Sequence, residues 1–447
     1  MQSDLRATTL GSICKQQGGT IQTGPFGSQL HASDYDYSGT PVIMPLNLAN
    51  GIVETSGIAR VSQGHVERLS RHCLVPGDIV FSRRGDVTRF ALITERERGW
   101  LCGTGCLKVS AGTPTLATAN FIAAALALPV SKEWLIRHAV GATMPNLNTG
   151  ILANLPISLP PLVVQENVTR ILGALNDRLH LLRQTSATLE AIVQTLFKSW
   201  FIDFDPVRAK AEGREPDGME AATAALFPST FEDDKAIAVT PAGWSSSALY
   251  DLAQFINGAA YKAFEPNTEA RGLPIIKIAE LKAGVTSQTA FSEVDMPSKY
   301  RIDSKDILFS WSGNPYTSID TFVWPHGAAW LNQHIFRVVP NAPHERSFVL
   351  LTLRHLKSTF AEIARDKQTT GLGHVTVADL KRLRVVKPDT TLLRVWNKLV
   401  DPLIERAFVI QQQAQSLAQL RVTLLPRLIS GKLRVSGAQA LIEEATS

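Results

Sequence analysis

The side chains of this chain that could do chemistry on another molecule are arginines and amides in turns. Arg83-Arg84-Gly85-Asp86, with Arg89 just beyond, directly follows a β-type run, Asp78–Ser82. A loop guanidinium can bond a guanine edge at two points or pair with a phosphate; a solvated loop is the competing reading. Trp311-Ser312-Gly313-Asn314 stands at the same place after a second such run, Asp306–Ser310. Two further segments, GATMPNLNTG (Gly141–Gly150) and KQTTGLGH (Lys367–His374), are rich in Asn, Gln, Thr and Gly. Amides read adenine edges, and glycine lets backbone approach phosphate. Asn146, Asn148, Lys367, Gln368, Thr369 and His374 are therefore candidates, with plain turn chemistry as the alternative. Ser28, Gln29 and Tyr261, in two opening loops, join Arg83, Arg84, Arg89, Trp311, Ser312 and Asn314 as candidate contacts for such a partner. Neighbouring Phe26 is expected to pack in a core.

Catalytic constellations are missing by comparison. Gly313-Asn314-Pro315-Tyr316 is one proline short of the Asn-Pro-Pro-Tyr motif of adenine methyltransferases, and no glycine-rich loop for S-adenosylmethionine follows a strand. Ser430-Gly431-Lys432 lacks the upstream glycine of a phosphate-binding loop. Pro216-Asp217 with Asp233-Asp234-Lys235 loosely matches a nuclease pattern, but reads as a chance match in a polar connector without a strand to position a metal. The histidines lack metal-ligand spacing, and Cys102 and Cys106 have no companion ligand pair, so the expectation is no metal. With Cys14 and Cys73 they read as reduced, structural thiols.

Composition bounds the partners. The net charge is +5, distributed as +2 over residues 1–205 (17 basic, 15 acidic), −3 over 206–247 (4 and 7) and +6 over 248–447 (24 and 18). A mildly basic chain with an acidic connector fits a polyanion, though an ordinary basic protein would look similar. No apolar run is long enough to span a bilayer, so no membrane partner is expected. The start, MQSDLRATTLGSICKQ, lacks an apolar core flanked by basic residues, which points to the cytoplasm.

The elements that must position the candidate loops occur twice. Val168, Leu175, Leu182, Leu189 and Leu196 form an apolar ridge of period seven; Trp396, Leu403, Ile410, Leu417 and Leu424 form another, each 228 residues after its counterpart (396 − 168 = 228). The spacing predicts long helices over Val163–Phe201 and Thr391–Leu425, the second with a softer companion seam of Leu399, Arg406, Gln413 and Leu420. Packing the two stripes together, antiparallel, is the economical way to bury both. Ahead of each helix lies a mixed region. Strands are expected at Pro41–Pro45, Asp78–Ser82 and Leu107–Ser110, and helix at Phe121–Leu128 and Lys132–Val140. Pro156–Pro161 is expected to stop regular structure and extend the chain. Pro274–Ile278, Asp306–Ser310, Trp330-Leu331, Phe348–Ala364 and Val375–Val386 repeat the pattern.

Several phrases go beyond pattern. Thr23-Gly24-Pro25-Phe26-Gly27-Ser28-Gln29-Leu30, ending in Asp34-Tyr35, resembles the opening of a target recognition domain. Leu189-Glu190-Ala191-Ile192 with Leu196–Pro206 (LFKSWFIDFDP) resembles the central conserved region of type I restriction–modification specificity subunits. Leu424–Leu433 (LLPRLISGKL) is similar to their C-terminal conserved region, and Leu226-Phe227-Pro228 with Pro241-Ala242-Gly243-Trp244 to the lead-in of their second recognition domain.

The resemblance implies an α+β fold: two similar mixed α/β target recognition domains joined by two long antiparallel coiled-coil helices, with a pseudo-twofold internal repeat. The expected domains are 1–160 and 241–390 for recognition, 161–204 and 391–430 for spacer helices, 205–240 for a connector and 431–447 for a tail. It implies that each recognition domain reads one half of a bipartite, asymmetric site in double-stranded DNA. The helices would set the spacer and dock two methyltransferase subunits. S-adenosylmethionine, ATP and Mg would belong to partner subunits, including a restriction motor and endonuclease, and this chain would be non-catalytic. Half-sites about ten base pairs apart lie on one face of the duplex, which a rigid helical pair could measure. The alternatives are a self-contained adenine modification enzyme, or a coiled-coil scaffold with degenerate recognition domains.

Overall fold

The two heptad stripes form helices of equal length, Leu162–Phe201 and Thr390–Ile429. Both their starts (390 − 162) and their ends (429 − 201) are 228 residues apart. In this computed structural model, which describes residues 5–49, 51–141, 143–234, 238–368, 371–433, 437–438 and 440–442, the chain divides into two compact units. One is Met1–Leu181 with Gln413–Ser447, the other Leu182–Gln412. Each long helix contributes one half to each unit.

The ridges are the buried stripes. Val168, Leu175, Leu417 and Leu424 are buried in the first unit, Leu182, Trp396 and Ile410 in the second, and Leu189, Leu196 and Leu403 are half-buried. In the second unit Ser186 Oγ donates to the Ala407 carbonyl (3.4 Å), and the Trp396 ring lies 5.2 Å from Trp200 and 4.8 Å from Phe201. Contacts that advance along one helix recede along the other, as an antiparallel pair requires. In the first unit Arg421 donates to Asn176 Oδ1 at 2.8 Å.

The expected companion seam is wrong by one residue. Leu399 and Arg406 are exposed, and Gln413 and Leu420 are half-buried. The buried seam is Leu393, Val400, Ala407, Ala414 and Leu428. It follows the ridge by four positions, as Leu172, Leu179 and Val193 do on the first helix. At Ala407 and Ala414 the second seam is small rather than polar, and half-buried Arg421 interrupts it further on.

Ahead of the helices one antiparallel sheet is built twice. Its strand order is Gly18–Thr23, Cys106–Gly112, Asp78–Ser82, Phe90–Leu92 in the first unit. In the second it is Ala253–Asn257, Ile335–Pro340, Ile307–Ser310, Asp320–Val323. The central strand of each is wholly buried and rich in β-branched and aromatic residues, as a covered strand must be. A smaller mixed sheet joins Thr40–Ile43 parallel to Leu101–Cys102, and its counterpart joins Leu273–Ile276 parallel to Ala329–Leu331. Helices Ala119–Leu126 and Pro129–His138 are matched by Arg346–His355 and Lys357–Asp366.

Two local expectations need correcting. Pro156–Leu159 does not end regular structure: it is a strand paired antiparallel with Arg6–Thr9, an edge position where a missing proline N–H costs nothing. The acidic stretch also contains a strand, Phe231–Asp234, paired with Ala238–Pro241, so Asp233 and Asp234 do sit on a strand, while Lys235 lies outside the described residues. Even so, no group of three or more His, Cys, Asp or Glu is placed to hold a metal among the described residues. Val207 and Phe227 from the same stretch are buried in the second core, with Phe197, Trp200, Phe201, Trp244, Phe348 and Trp396. All four cysteines are free thiols. No single helix among the described residues is long and apolar enough to cross a membrane.

Trp396 is 0% exposed and meets three aromatic rings. Trp396→Ala should destabilise the second unit by about 3–5 kcal/mol. Leu399→Ala, on the solvent side, should change stability by less than about 0.5 kcal/mol. Denaturant titration of the two variants distinguishes the observed seam from the expected one.

Candidate nucleic-acid interface

Strand register brings the candidate loops to one end of each four-stranded sheet. In the first unit Leu107 pairs with Thr23 and Cys106 with Ser82, so the chain leaves the sheet at Thr23 and Ser82 on the same side. Arg83 N then donates to the Gly105 carbonyl (2.8 Å), and Leu147 N to the Arg83 carbonyl (2.8 Å). Arg84 bridges Asn146, and Gly85 N donates to the Pro145 carbonyl (3.1 Å). Arg83, Arg84 and Asn146 thus share one backbone platform.

The second unit repeats it with other side chains. Trp311 N donates to the His334 carbonyl (3.3 Å), and Val375 N to the Trp311 carbonyl (2.8 Å). Ser312 pairs with His374 and Gly313 with Gly373. The Arg84–Asn146 and Ser312–His374 pairs differ by 228 on both strands (312 − 84; 374 − 146). Gly85 and Gly313 both adopt positive φ, 77° and 119°, which turns the chain after the presented residue.

The side chains differ in what they offer. Arg84 is exposed and Arg83 half-buried; Arg83 Nε and Asn146 Oδ1 are buried without a hydrogen-bond partner among the described residues. In the second unit Trp311 Nε1 donates to Asn257 Oδ1 (3.1 Å), with the ring 5.6 Å from His334, which contacts Gln333 at 3.2 Å. The first platform offers forked cationic donors and an amide. The second offers an indole, a hydroxyl and imidazoles.

Other candidates are engaged in holding the loops. Arg89 pairs with Asp86 (3.3 Å), whose carboxyl Thr88 also bonds. Asn148 is exposed but caps the helix Thr149–Ala153, accepting from Ile151 N at 2.8 Å. Asn314 Oδ1 accepts from the amides of Tyr316 and Thr317. Lys367 bonds Asp379 (2.6 Å), the residue that closes a capping box with Thr376. Gln368 is exposed, and Thr369 lies outside the described residues.

In the opening loops Ser28 is exposed, and Gln29 Oε1 accepts from Phe26 N (3.1 Å). Tyr261 is half-buried beneath the Lys277 ammonium, 5.3 Å from its ring. Phe26 is 52% exposed rather than packed, because its tight loop turns it away from the sheet. The loops begin at Gly24 and Gly258, where a Cβ would stand 2.2 Å from the carbonyl oxygens of Gly103 and Asn332, so only glycine lets the crossing close. Asn257, Gln333 and His334 escaped sequence reasoning. Their signal was positional: Asn257 ends the strand that answers Gly18–Thr23, and Gln333-His334 precedes the one that answers Cys106–Gly112.

The Asp379 carboxyl tests this division of labour. Burial alone would raise its pKa, but hydrogen bonds from Lys367 and Thr376 outweigh burial and bring it below the ordinary 3.8. A depressed carboxyl stabilises the fold above its unfolded value and loses that contribution as pH falls through the lower folded value. The protection factors of the amides at residues 373–379, corrected for the intrinsic exchange rate at each pH, should therefore fall as pH drops below 3.8. Asp379→Asn at neutral pH should produce about a two- to fivefold loss of protection there.

Comparison with known proteins places this geometry. The family model described as type I restriction modification DNA specificity domain matches residues 4–191 and 241–390. The HindI type I restriction enzyme specificity subunit of Haemophilus influenzae is 25% identical over 344 residues, covering 67% of this chain and 73% of that protein. The MjaIX specificity subunit of Methanocaldococcus jannaschii is 25% identical over 307 residues, covering 68% of this chain and 66% of its own length. A crystal structure of a type I restriction–modification S subunit from M. genitalium shares the fold, with TM-score 0.61 and 15% identity over 96% of each chain. With two copies of the family's domain matched over most of its length, each on the same backbone platform, the chain belongs to the type I restriction–modification DNA specificity family.

Proposed function

We propose that this chain is the sequence-reading subunit of a type I restriction–modification complex. The observation that carries the reading is the pair of platforms: one backbone register, used twice, presents Arg83, Arg84 and Asn146 in one unit and Trp311, Ser312 and His374 in the other. A repeat that keeps its scaffold and changes its presented side chains suits a reader of two unlike half-sites in double-stranded DNA. An arginine fork bonds the two acceptors of guanine and an amide the edge of adenine, each contact contributing about 1–3 kcal/mol of discrimination.

The chain does no chemistry in this reading. It acts in the cytoplasm with two methyltransferase subunits and with motor and endonuclease subunits. S-adenosylmethionine, ATP and Mg are held by those partners, and this chain brings none of them. The long helices set the spacer, since each additional heptad lengthens a helix by about 10 Å.

Assembled with its methyltransferase, the chain should lose about 1–3 kcal/mol of preference at one base pair of the first half-site on Arg84→Ala, with the second half-site unaffected. Competition binding against single-base variants of the site measures this. Equal weakening on all DNA would assign Arg84 to phosphate instead. Inserting one heptad into both long helices should lengthen the preferred spacer and leave both half-sites unchanged. Altered half-site bases at an unchanged spacer would contradict the ruler, and methyl transfer by the isolated chain would contradict the non-catalytic role.

A further inference from the structure

Exposed apolar side chains scattered singly over a surface need no explanation. Recurrence at one position of a duplicated fold does. Met144 and Leu372 are both 60% exposed, and they lie 228 residues apart (372 − 144). Among the described residues the other exposed large apolar pair at that offset is Leu181 and Val409, on the long helices rather than in loops. Met144 and Leu372 each stand two residues before the platform's bridging residue, Asn146 and His374.

Both loops are pinned at their bases. Val140 and Asn146 exchange backbone hydrogen bonds (3.0 and 2.9 Å), so Met144 stands two residues from a fixed pairing. In the second unit the Lys367–Asp379 pair holds the start of the loop, and the Ser312–His374 pairing holds its end. A Cβ on Gly373 would meet the Ala364 carbonyl oxygen at 2.2 Å, so the loop is pressed against the helix Lys357–Asp366. A large apolar side chain, Met144 in one unit and Leu372 in the other, is thus carried on a fixed base beside the residues that would read bases.

The neighbours of these two side chains change between the units, Arg84 to Ser312 and Asn146 to His374, while the apolar character does not. Residues that read sequence should differ between half-sites; a residue kept alike should serve something both half-sites need. Resting on the DNA-reading proposal above, both need the same thing: an adenine rotated out of the duplex for methylation. Unstacking a base costs a few kcal/mol, and apolar wedges such as Met and Leu offset that cost by occupying the opened step. We infer that Met144 and Leu372 are the wedges of the two half-sites, entering the stack beside each target adenine and holding the duplex open for the methyltransferase subunit. They are positioning residues: they touch the DNA beside the reacting base and leave the reaction to the partner.

The test uses the full chain assembled with its methyltransferase and two duplexes carrying the mapped target: one with fluorescent aminopurine replacing each target adenine in turn, to read extrusion, and one with both adenines intact, to read methylation. Met144→Ala should lower the base-extrusion signal, and single-turnover methylation of the corresponding adenine, about tenfold at one half-site only, and Leu372→Ala should do so at the other. Met144→Leu and Leu372→Met should keep both signals. A mismatch at the target adenine, which pre-opens the step, should return the alanine variants to near the wild-type rate. Wild-type extrusion and rate in both alanine variants would overturn the proposal. So would loss of methyltransferase binding without DNA, which would assign the side chains to a protein contact, or a loss the mismatch does not repair, which would make them structural. A wild-type complex with no preference for its mapped sequence would overturn the DNA-reading proposal itself, and the wedges with it.

Discussion

An apolar stripe on a helix must be covered, and in this chain the covering is shared. The first unit buries the opening half of one long helix and the closing half of the other, including Val168, Leu175, Leu417 and Leu424. The second buries the complementary halves around Trp396. The second unit's largest core is not made by its mixed region alone: Trp396 sits among Phe197, Trp200 and Phe201 in the same cluster that takes up Phe348 and Phe227. The equal 228-residue offset at both helix ends follows from that demand. A repeat that slipped by one residue would turn both stripes by about 100° and expose them.

The same economy fixes the platforms. Sheet register decides which loop ends lie together, and the bridges Arg84–Asn146 and Ser312–His374 decide which side chains the loops present. Positive-φ glycines and close crossings at Gly24 and Gly258 supply the turns. Several polar side chains that could have faced a ligand maintain the loops instead: Asn148 as a helix cap, Asn314 in its turn, Lys367 in an ion pair. The backbone pairing is thus the same in both units while the side chains it carries differ.

The architecture was legible because its signals are periodic. Seven-residue ridges and the Asp78–Ser82 and Asp306–Ser310 runs are local patterns, and they predicted both helices and the strands that launch the loops. The companion seam at Leu399 failed because a heptad ridge has neighbours three and four residues on, and sequence alone does not say which of them faces the partner. Pro156 read as a breaker because proline lacks a donor, yet an edge strand asks for none from it. At the site, the loops were legible and the roles of individual side chains were not. Whether Lys367 faces a ligand depends on Asp379, twelve residues away and brought close only by the turn between them. Phe26 looked like core by residue type, but a tight loop with its own hydrogen bonds can leave an aromatic ring in solvent. Asn257, Gln333 and His334 are visible only once strand register is known.

The central claim is that two readers with one scaffold recognise two unlike half-sites. Mapping methylated adenines genome-wide in a host carrying this chain with its methyltransferase tests it most directly. The account predicts one bipartite, asymmetric motif with a fixed spacer, methylated once in each half and absent when this chain is deleted. A contiguous motif, a palindrome, or methylation indifferent to this chain would contradict it.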